Sequence, residues 1–508
     1  MSGVDRRQVI GGVIAAASIA AAPPERLVRC RAGRFAGTVE GGVHVFRGIR
    51  YGRAQRFRAP IPVPAPRDVV RADKFGPIAP QASAQGGEPQ SEDCLFLNIW
   101  TTAPAAAAKK PVMVYIHGGA YANGTSTSPL NDGRRLATAG DVVVVTVNHR
   151  LNAFGYLYLS RIDPRFADSG NAGQLDLILA LQWVRDNIAS FGGDPGNVLV
   201  FGQSGGGAKI ATLMGTPAAK DLFHRAITMS GQQVTASGPL NATARMRAYL
   251  AKLGDPSLDT LVAMPTGKLV DALAATDPIL GGGVYFGPVL DMKWLVRHPF
   301  WPDANPQSNR IPMMLGNTRD ETRAFIAPNS PKVTGLTWDN LAERMASELR
   351  IDALPEWVVA EYRAYYPDWS PREVLWGATT AGRSWRGQVI EAELRAAANA
   401  STWVYQVDFA SPIEPERGAP HTMDIALAFG TLDAAGSFTG TGAGAQSAST
   451  ALQNSFVAFA RTGTAAWPQY RLDRRTTMLF DIDSLAVDDP RRWERELFAR
   501  IPYIQPGT

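Results

Sequence analysis

Six short apolar runs set the limits on what this chain can fold into: "PVMVYIHGG", "VVVVTVNHR", "NVLVFGQSG", "RAITMSG", "IPMMLGNT" and "TWVYQVDF". Each is rich in strand-forming residues and ends in glycine, polar or loop residues, and many are followed by helical periodicity. A strand wetted on one face alternates apolar and polar residues; these runs are continuous, so both faces are covered, as in a parallel sheet wrapped by helices. The predicted fold class is α/β. Between the second and third runs lies "NAGQLDLILALQWVRDNIASFGGDPGN", which sets Leu177, Leu181, Val184 and Ile188 on one helical face before glycines stop it. It reads as a crossover helix between neighbouring parallel strands.

At 508 residues and 45% hydrophobic the chain can bury a large core, and no linker, charge block or repeat divides it. Residues 23–508 read as a single domain. From about 337 to 400 the pattern turns to charged, Trp- and Tyr-bearing helices without strand signal, an excursion expected to cap one end of the sheet. The Gly/Ala/Ser/Thr-rich stretch "GTLDAAGSFTGTGAGAQSAST" reads as a mobile loop. Residues 1–22 pair Arg6 with Arg7 ahead of a weakly apolar Ala/Gly-rich run, the pattern of a twin-arginine export signal. Export to the periplasm or beyond is the expectation. The run is shorter than the roughly 20 apolar residues a bilayer needs, so no stable membrane insertion is expected. A net charge of +5, with its basic residues scattered, leaves no footprint for nucleic acid. Cys30 and Cys94 allow at most one disulfide and do not make a metal site.

The third run continues into "GQSGG", Gly202 to Gly206, a G-x-S-x-G string between a strand and a helix. Such a turn is tight enough to hold Ser204 in strained backbone space and push its hydroxyl out of the sheet. A serine hydroxyl is a poor nucleophile at neutral pH, so a histidine must take its proton and an acid must orient that histidine. On this architecture the partners follow the serine, which leaves His224, His298 and His421 of the six histidines. His421, in a Pro/Gly-rich loop after the last run, is the base by elimination. The acid follows "IPMMLGNT" as Asp320 or Glu321, with Asp291 a weaker third choice; spacing does not separate them. Upstream, "VYIHGGAYANG" ends a strand in a glycine turn whose free N–H groups suit a developing oxyanion.

These residues, with "GGVHVFRGIRYG", "SEDCLFLNIW", "VNHRLNAFGYL", "FGGDPGNVLVFGQSGGG", "GNTRDE", "GAPHTMDIALAFG" and "FARTGTAAWPQY", resemble the type-B carboxylesterase and cholinesterase family of α/β-hydrolases, and within it the bacterial para-nitrobenzyl esterases. The resemblance covers nearly the whole chain after residue 22. It implies the α/β-hydrolase fold, a small-molecule ester substrate cleaved through an acyl-enzyme, and no metal or organic cofactor. It further implies Ser204 as nucleophile, His421 as base, Glu321 as the acid, and oxyanion donors at the N–H groups of Gly119, Ala120 and Gly205. Ser230 matches a serine near the triad, and Arg150 with Asp176 and Arg56 with Glu92 match structural ion pairs. Three departures stand out. Gln203 replaces the family's usual Glu before the nucleophile, Ala79 replaces the cysteine that would pair with Cys94, and the loop between them carries no Trp to cradle choline. Two other readings keep the fold: the same triad acting on an amide, carbamate or specialised ester, or a non-catalytic binding module.

Overall fold

The computed structural model describes residues 26–83 and 89–505; the stretch read as an export signal lies outside them. In chain order the main sheet is built from β1 (Arg26–Cys30), β2 (Gly33–Glu40), β3 (Val43–Arg50), β4 (Phe96–Thr101), β5 (Lys110–Ile116), β6 (Val143–Val147), β7 (Gly193–Gln203), β8 (Arg225–Met229), β9 (Met313–Thr318), β10 (Thr402–Val407), β11 (Thr476–Phe480) and β12 (Leu485–Asp488). Their spatial order is β1-β2-β3-β4-β6-β5-β7-β8-β9-β10-β11-β12, with the short strand Val69–Arg71 beside β2. From β6 through β11 every pairing is parallel, and the flanking pairings are antiparallel apart from that of Val69–Arg71 with β2.

The six apolar runs are six of these parallel strands, and burial explains their continuity. Every residue from Val112 to Ile116 is 1% exposed or less. Alternation divides them between two cores: Val112, Val114 and Ile116 join Val198 and Val200 on one face, while Met113 and Tyr115 join Leu199 and Phe201 on the other. The helix α1 (Ala172–Asn187) links β6 to β7. The sequence suggests neighbouring strands, but these two are not neighbours, because β5 lies between them. The crossover therefore steps over one strand. Nor is α1 apolar on one face only: Leu175, Leu179 and Trp183 are buried as well, since the N-terminal layer around Tyr51 and Leu95 covers its outer side.

The helix α2 (Gly205–Met214) follows β7 directly and is buried along its whole length. Beyond β9, the helices α3 (Leu341–Leu349), α4 (Pro355–Tyr365), α5 (Pro371–Thr380) and α6 (Arg386–Ala397) gather around a core of their own that includes Met345, Val358, Tyr362 and Leu375. A π-helical turn, Ala381–Trp385, joins α5 to α6. After α7 (Met423–Phe429) comes α8 (Ala443–Thr462), which corrects the reading of a loop through residue 450. The small residues there serve close packing: Ala445, Ala448 and Ser449 are buried, and the Ser449 hydroxyl donates to the Leu427 carbonyl at 2.8 Å.

Two ion pairs tie loops to this frame. Arg150 grips Asp176 through Nε at 2.8 Å and Nη2 at 2.6 Å, with both side chains buried. Arg56 holds Glu92 in the same forked manner and donates to the carbonyls of Val262 and Met264. Cys30 and Cys94 are free thiols. Among the described residues no helix is long and apolar enough to cross a membrane.

Candidate active site

Parallel strands deliver their loops to one edge, the carboxyl end, where open α/β sheets bind ligands. β5 and β7 pair with Ile116 opposite Gly202, so the turns that follow them begin side by side. Ser204 has φ 55° and ψ −124°, a conformation that costs a side-chain-bearing residue about 1–3 kcal/mol. The surroundings hold it there. Its N–H donates to the Met229 carbonyl at 2.7 Å, and its carbonyl accepts from Ala208 at 3.0 Å. Glycine is required alongside: a Cβ on Gly206 would stand 1.9 Å from the Ile116 carbonyl oxygen, and one on Gly202 2.7 Å from the same atom.

Among the acidic candidates only Glu321 faces His421. Its Oε2 takes the Nδ1 hydrogen of the ring, and its Oε1 accepts from the Thr318 N–H at 2.8 Å and from Asn317 Nδ2 at 3.1 Å. Burial pushes the Glu321 carboxyl up, but the charge and hydrogen bond of His421 outweigh it and hold it below its ordinary range. Asp320 does different work: its Oδ2 accepts from the N–H of Ala419 at 2.9 Å, pinning the loop that presents His421. Asp291 caps a remote turn, accepting from Lys293, Trp294 and Leu295. His224 and His298 each use Nδ1 to accept a backbone N–H, from Val198 and Ala236, and are structural.

The turn after β5 runs through Gly119 at φ 85° and Ala120 at φ 52°. Among the described residues the N–H groups of Gly119, Ala120 and Gly205 have no protein acceptor. All three residues border the space around Ser204. The sequence reading missed what braces this turn from behind. Lys209, on α2 and fully buried, donates to the Ala120 carbonyl at 2.6 Å with its ammonium 4.8 Å from the Tyr121 ring centre. Burial pulls its pKa down to about 7. The signal was present, since a lysine inside "GGGAKIATLM" has no wet face to occupy. Asp424 was missed as well. It is buried near Glu321 and His421, its carboxylate oxygens have no partner among the described residues, and burial followed by repulsion from Glu321 raises its pKa to about 7.

Gln203 meets the catalytic geometry directly. Its Nε2 lies 3.1 Å from Nε2 of His421. An amide nitrogen only donates, so His421 Nε2 accepts and the ring proton sits on Nδ1, toward Glu321. Ser204 opens with His421 onto a cavity of about 720 Å³ bordered by Asn123, Leu130, Phe325 and Ile425. A smaller one of about 140 Å³ continues past Gly231, Gln233 and Tyr285. No hydrogen bond joins Ser204 to His421 here; Gln203 holds that position. Among the described residues no group of three or more His, Cys, Asp or Glu is arranged to hold a metal ion.

A family model described as "Carboxylesterase family" matches residues 24–490. The chain belongs to the carboxylesterase family. This carboxylesterase is 35% identical over 500 residues to the para-nitrobenzyl esterase of Bacillus subtilis, covering 93% of this chain and 98% of the relative. It is 30% identical to the phenmedipham hydrolase of Pseudarthrobacter oxydans, over 87% of this chain and 92% of the relative. The crystal structure of a Geobacillus stearothermophilus carboxylesterase superimposes with a TM-score of 0.82 at 34% identity, covering 92% of this chain and 99% of the other. The enzyme is thus a serine carboxylesterase of the α/β-hydrolase fold, a carboxylic ester hydrolase.

Proposed function

We propose that the enzyme cleaves small-molecule carboxylic esters through an acyl intermediate on Ser204, with His421 and Glu321 completing the triad. The observation that carries this reading is the Glu321–His421 pair aimed at the strained Ser204 turn. Substrate first displaces the Gln203 amide, leaving the His421 Nε2 lone pair free to take the Ser204 proton. Ser204 Oγ attacks the ester carbonyl, and the N–H groups of Gly119, Ala120 and Gly205 receive the oxyanion, each donor being worth about 10²–10³ in rate. His421 then protonates the departing alcohol, and water, activated by the same ring, releases the acid. The proposal extends to location: the paired arginines and apolar run of residues 1–22 support export through the twin-arginine route.

A fluorophosphonate ester tests the nucleophile. One equivalent is expected to abolish turnover of p-nitrophenyl butyrate, and fragmentation mass spectrometry is expected to place the adduct on Ser204. An adduct elsewhere, with activity lost, would overturn the assignment. Gln203→Glu tests the tautomer argument. A carboxylate beside Nε2 favours the imidazolium, so the acid limb of kcat/KM is expected to move up by about one pH unit. A limb that stays in place would show that Gln203 does not touch the working base.

A further inference from the structure

The two spaces that meet at Ser204 are bordered by no aspartate or glutamate among the described residues, yet both reach Arg383, and the smaller also reaches Arg350. Arg383 comes from the π-helical turn between α5 and α6, an insertion frequently found at functional sites. Its guanidinium lies 4.5 Å from the centre of the Phe325 ring, which in turn packs 4.9 Å from the ring of His421. Its one ion pair is Nη1 to Glu348 at 3.0 Å, leaving Nε and Nη2 without an acceptor among the described residues. Glu348 is shared with Lys332, so it neutralises neither cation fully. Arg350, at the left-handed residue that ends α3, is exposed and has no ion-pair partner among the described residues.

Two guanidinium groups bordering one cavity that no carboxylate lines repel each other, and each lowers the cost of bringing in an anion. The larger space, which Arg383 also borders, is neutral where acidity would oppose an anion, because Gln203 rather than a glutamate borders it. Buried Glu321 and Asp424 stand behind His421 and do not border the space. We infer that the substrate ester carries a carboxylate, seated on Arg383 and Arg350 beside Ser204. The guanidinium fork matches a carboxylate bidentately, which adds orientation to attraction. This inference rests on the acyl-enzyme reading above and names its substrate class.

The test compares esters that differ only in a charged or neutral terminus, with the anion placed on either side of the scissile bond. For the acyl side the pair is monomethyl adipate and its terminal carboxamide; for the alcohol side, 4-acetoxybenzoate and 4-acetoxybenzamide. In the wild type at low salt, kcat/KM for the carboxylate is expected to exceed that for the amide by about 10- to 100-fold in at least one pair, the range of a charge-assisted hydrogen bond. The arm that shows it tells which moiety holds the anion. The ratio is expected to shrink as salt is added and to fall several-fold in Arg350→Gln, whose exposed position makes misfolding a minor concern. Arg383→Lys, which keeps the charge and loses the fork, is expected to give an intermediate ratio. Equal turnover of both members of both pairs would overturn the inference while leaving the esterase mechanism standing. A preference that survives both substitutions unchanged would also overturn it. A folded protein that hydrolyses none of the four would remove the mechanistic reading and this one together.

Discussion

Ser204→Ala is expected to lower kcat on p-nitrophenyl butyrate by about 10⁶-fold while leaving thermal unfolding nearly unchanged. The size of the loss follows from how such a triad works. Without the hydroxyl there is no acyl intermediate, and the remaining turnover is what ester positioning and oxyanion donors give to direct attack by water. The small effect on stability follows from the turn. Its strained backbone is held by the Met229 and Ala208 hydrogen bonds and by the glycines packed against Ile116, none of which involve the Ser204 side chain. Alanine at 204 therefore meets the same constraint as serine. Two measurements check this together: steady-state kinetics with a search for a pre-steady-state burst, and a melting curve. A variant that retains activity within tenfold of the wild type, with its burst intact, would place the nucleophile elsewhere.

Fold class was legible in this sequence because parallel strands covered on both faces cannot hide. Val112 to Ile116 and Val143 to Val147 have no wet side, so their apolar character is broken only by the buried Thr146. Order in the sheet was not legible, because a crossover such as α1 has the same pattern whether it reaches the next strand or steps over one. The antiparallel margins were hidden for the opposite reason. In β2 buried positions are interleaved with half-buried ones, in β12 none is buried, and the apolar signal falls to the level of a loop. α8 misled because Gly, Ala, Ser and Thr signal both turns and tight helix packing, and only the proximity of α7 selects the second. Within the site, chemistry limited the choice of residues. Six histidines gave a short list for the base. Asp320 and Glu321 are adjacent carboxylates after one strand, and only the geometry sends one to Ala419 and the other to His421. Arg350 and Arg383 carried no sequence signal, since charged residues on helices are the ordinary condition of a surface. Their meaning comes from a cavity made by segments distant in sequence.

Glu321→Gln is expected to lower kcat by about 10⁴-fold, through the histidine rather than the serine. In the wild type the carboxylate accepts from Nδ1, which leaves Nε2 as the acceptor that faces Gln203 here and, in the proposed mechanism, takes the Ser204 proton. A glutamine keeps the shape. Its Oε1 can still accept from Thr318 and Asn317, which directs the new NH₂ at Nδ1. Nδ1 must then accept, the proton moves to Nε2, and the ring presents a donor where a base is needed. The imidazolium formed in the transition state also loses its counter-charge. Stability responds with a definite sign. The folded pKa of Glu321 lies below its unfolded value near 4.3, so the ionised carboxylate contributes stability that is fully present above that value. That contribution is lost as pH falls through the folded pKa. Glutamine lacks it at every pH, so the wild type is expected to melt above the variant at neutral pH, with the gap narrowing below about pH 4. Melting curves from pH 3 to 8 beside kcat at pH 8 measure both effects. A large kinetic loss with a gap that does not narrow in acid would assign Glu321 to orienting the ring and deny its charge a part in holding the fold.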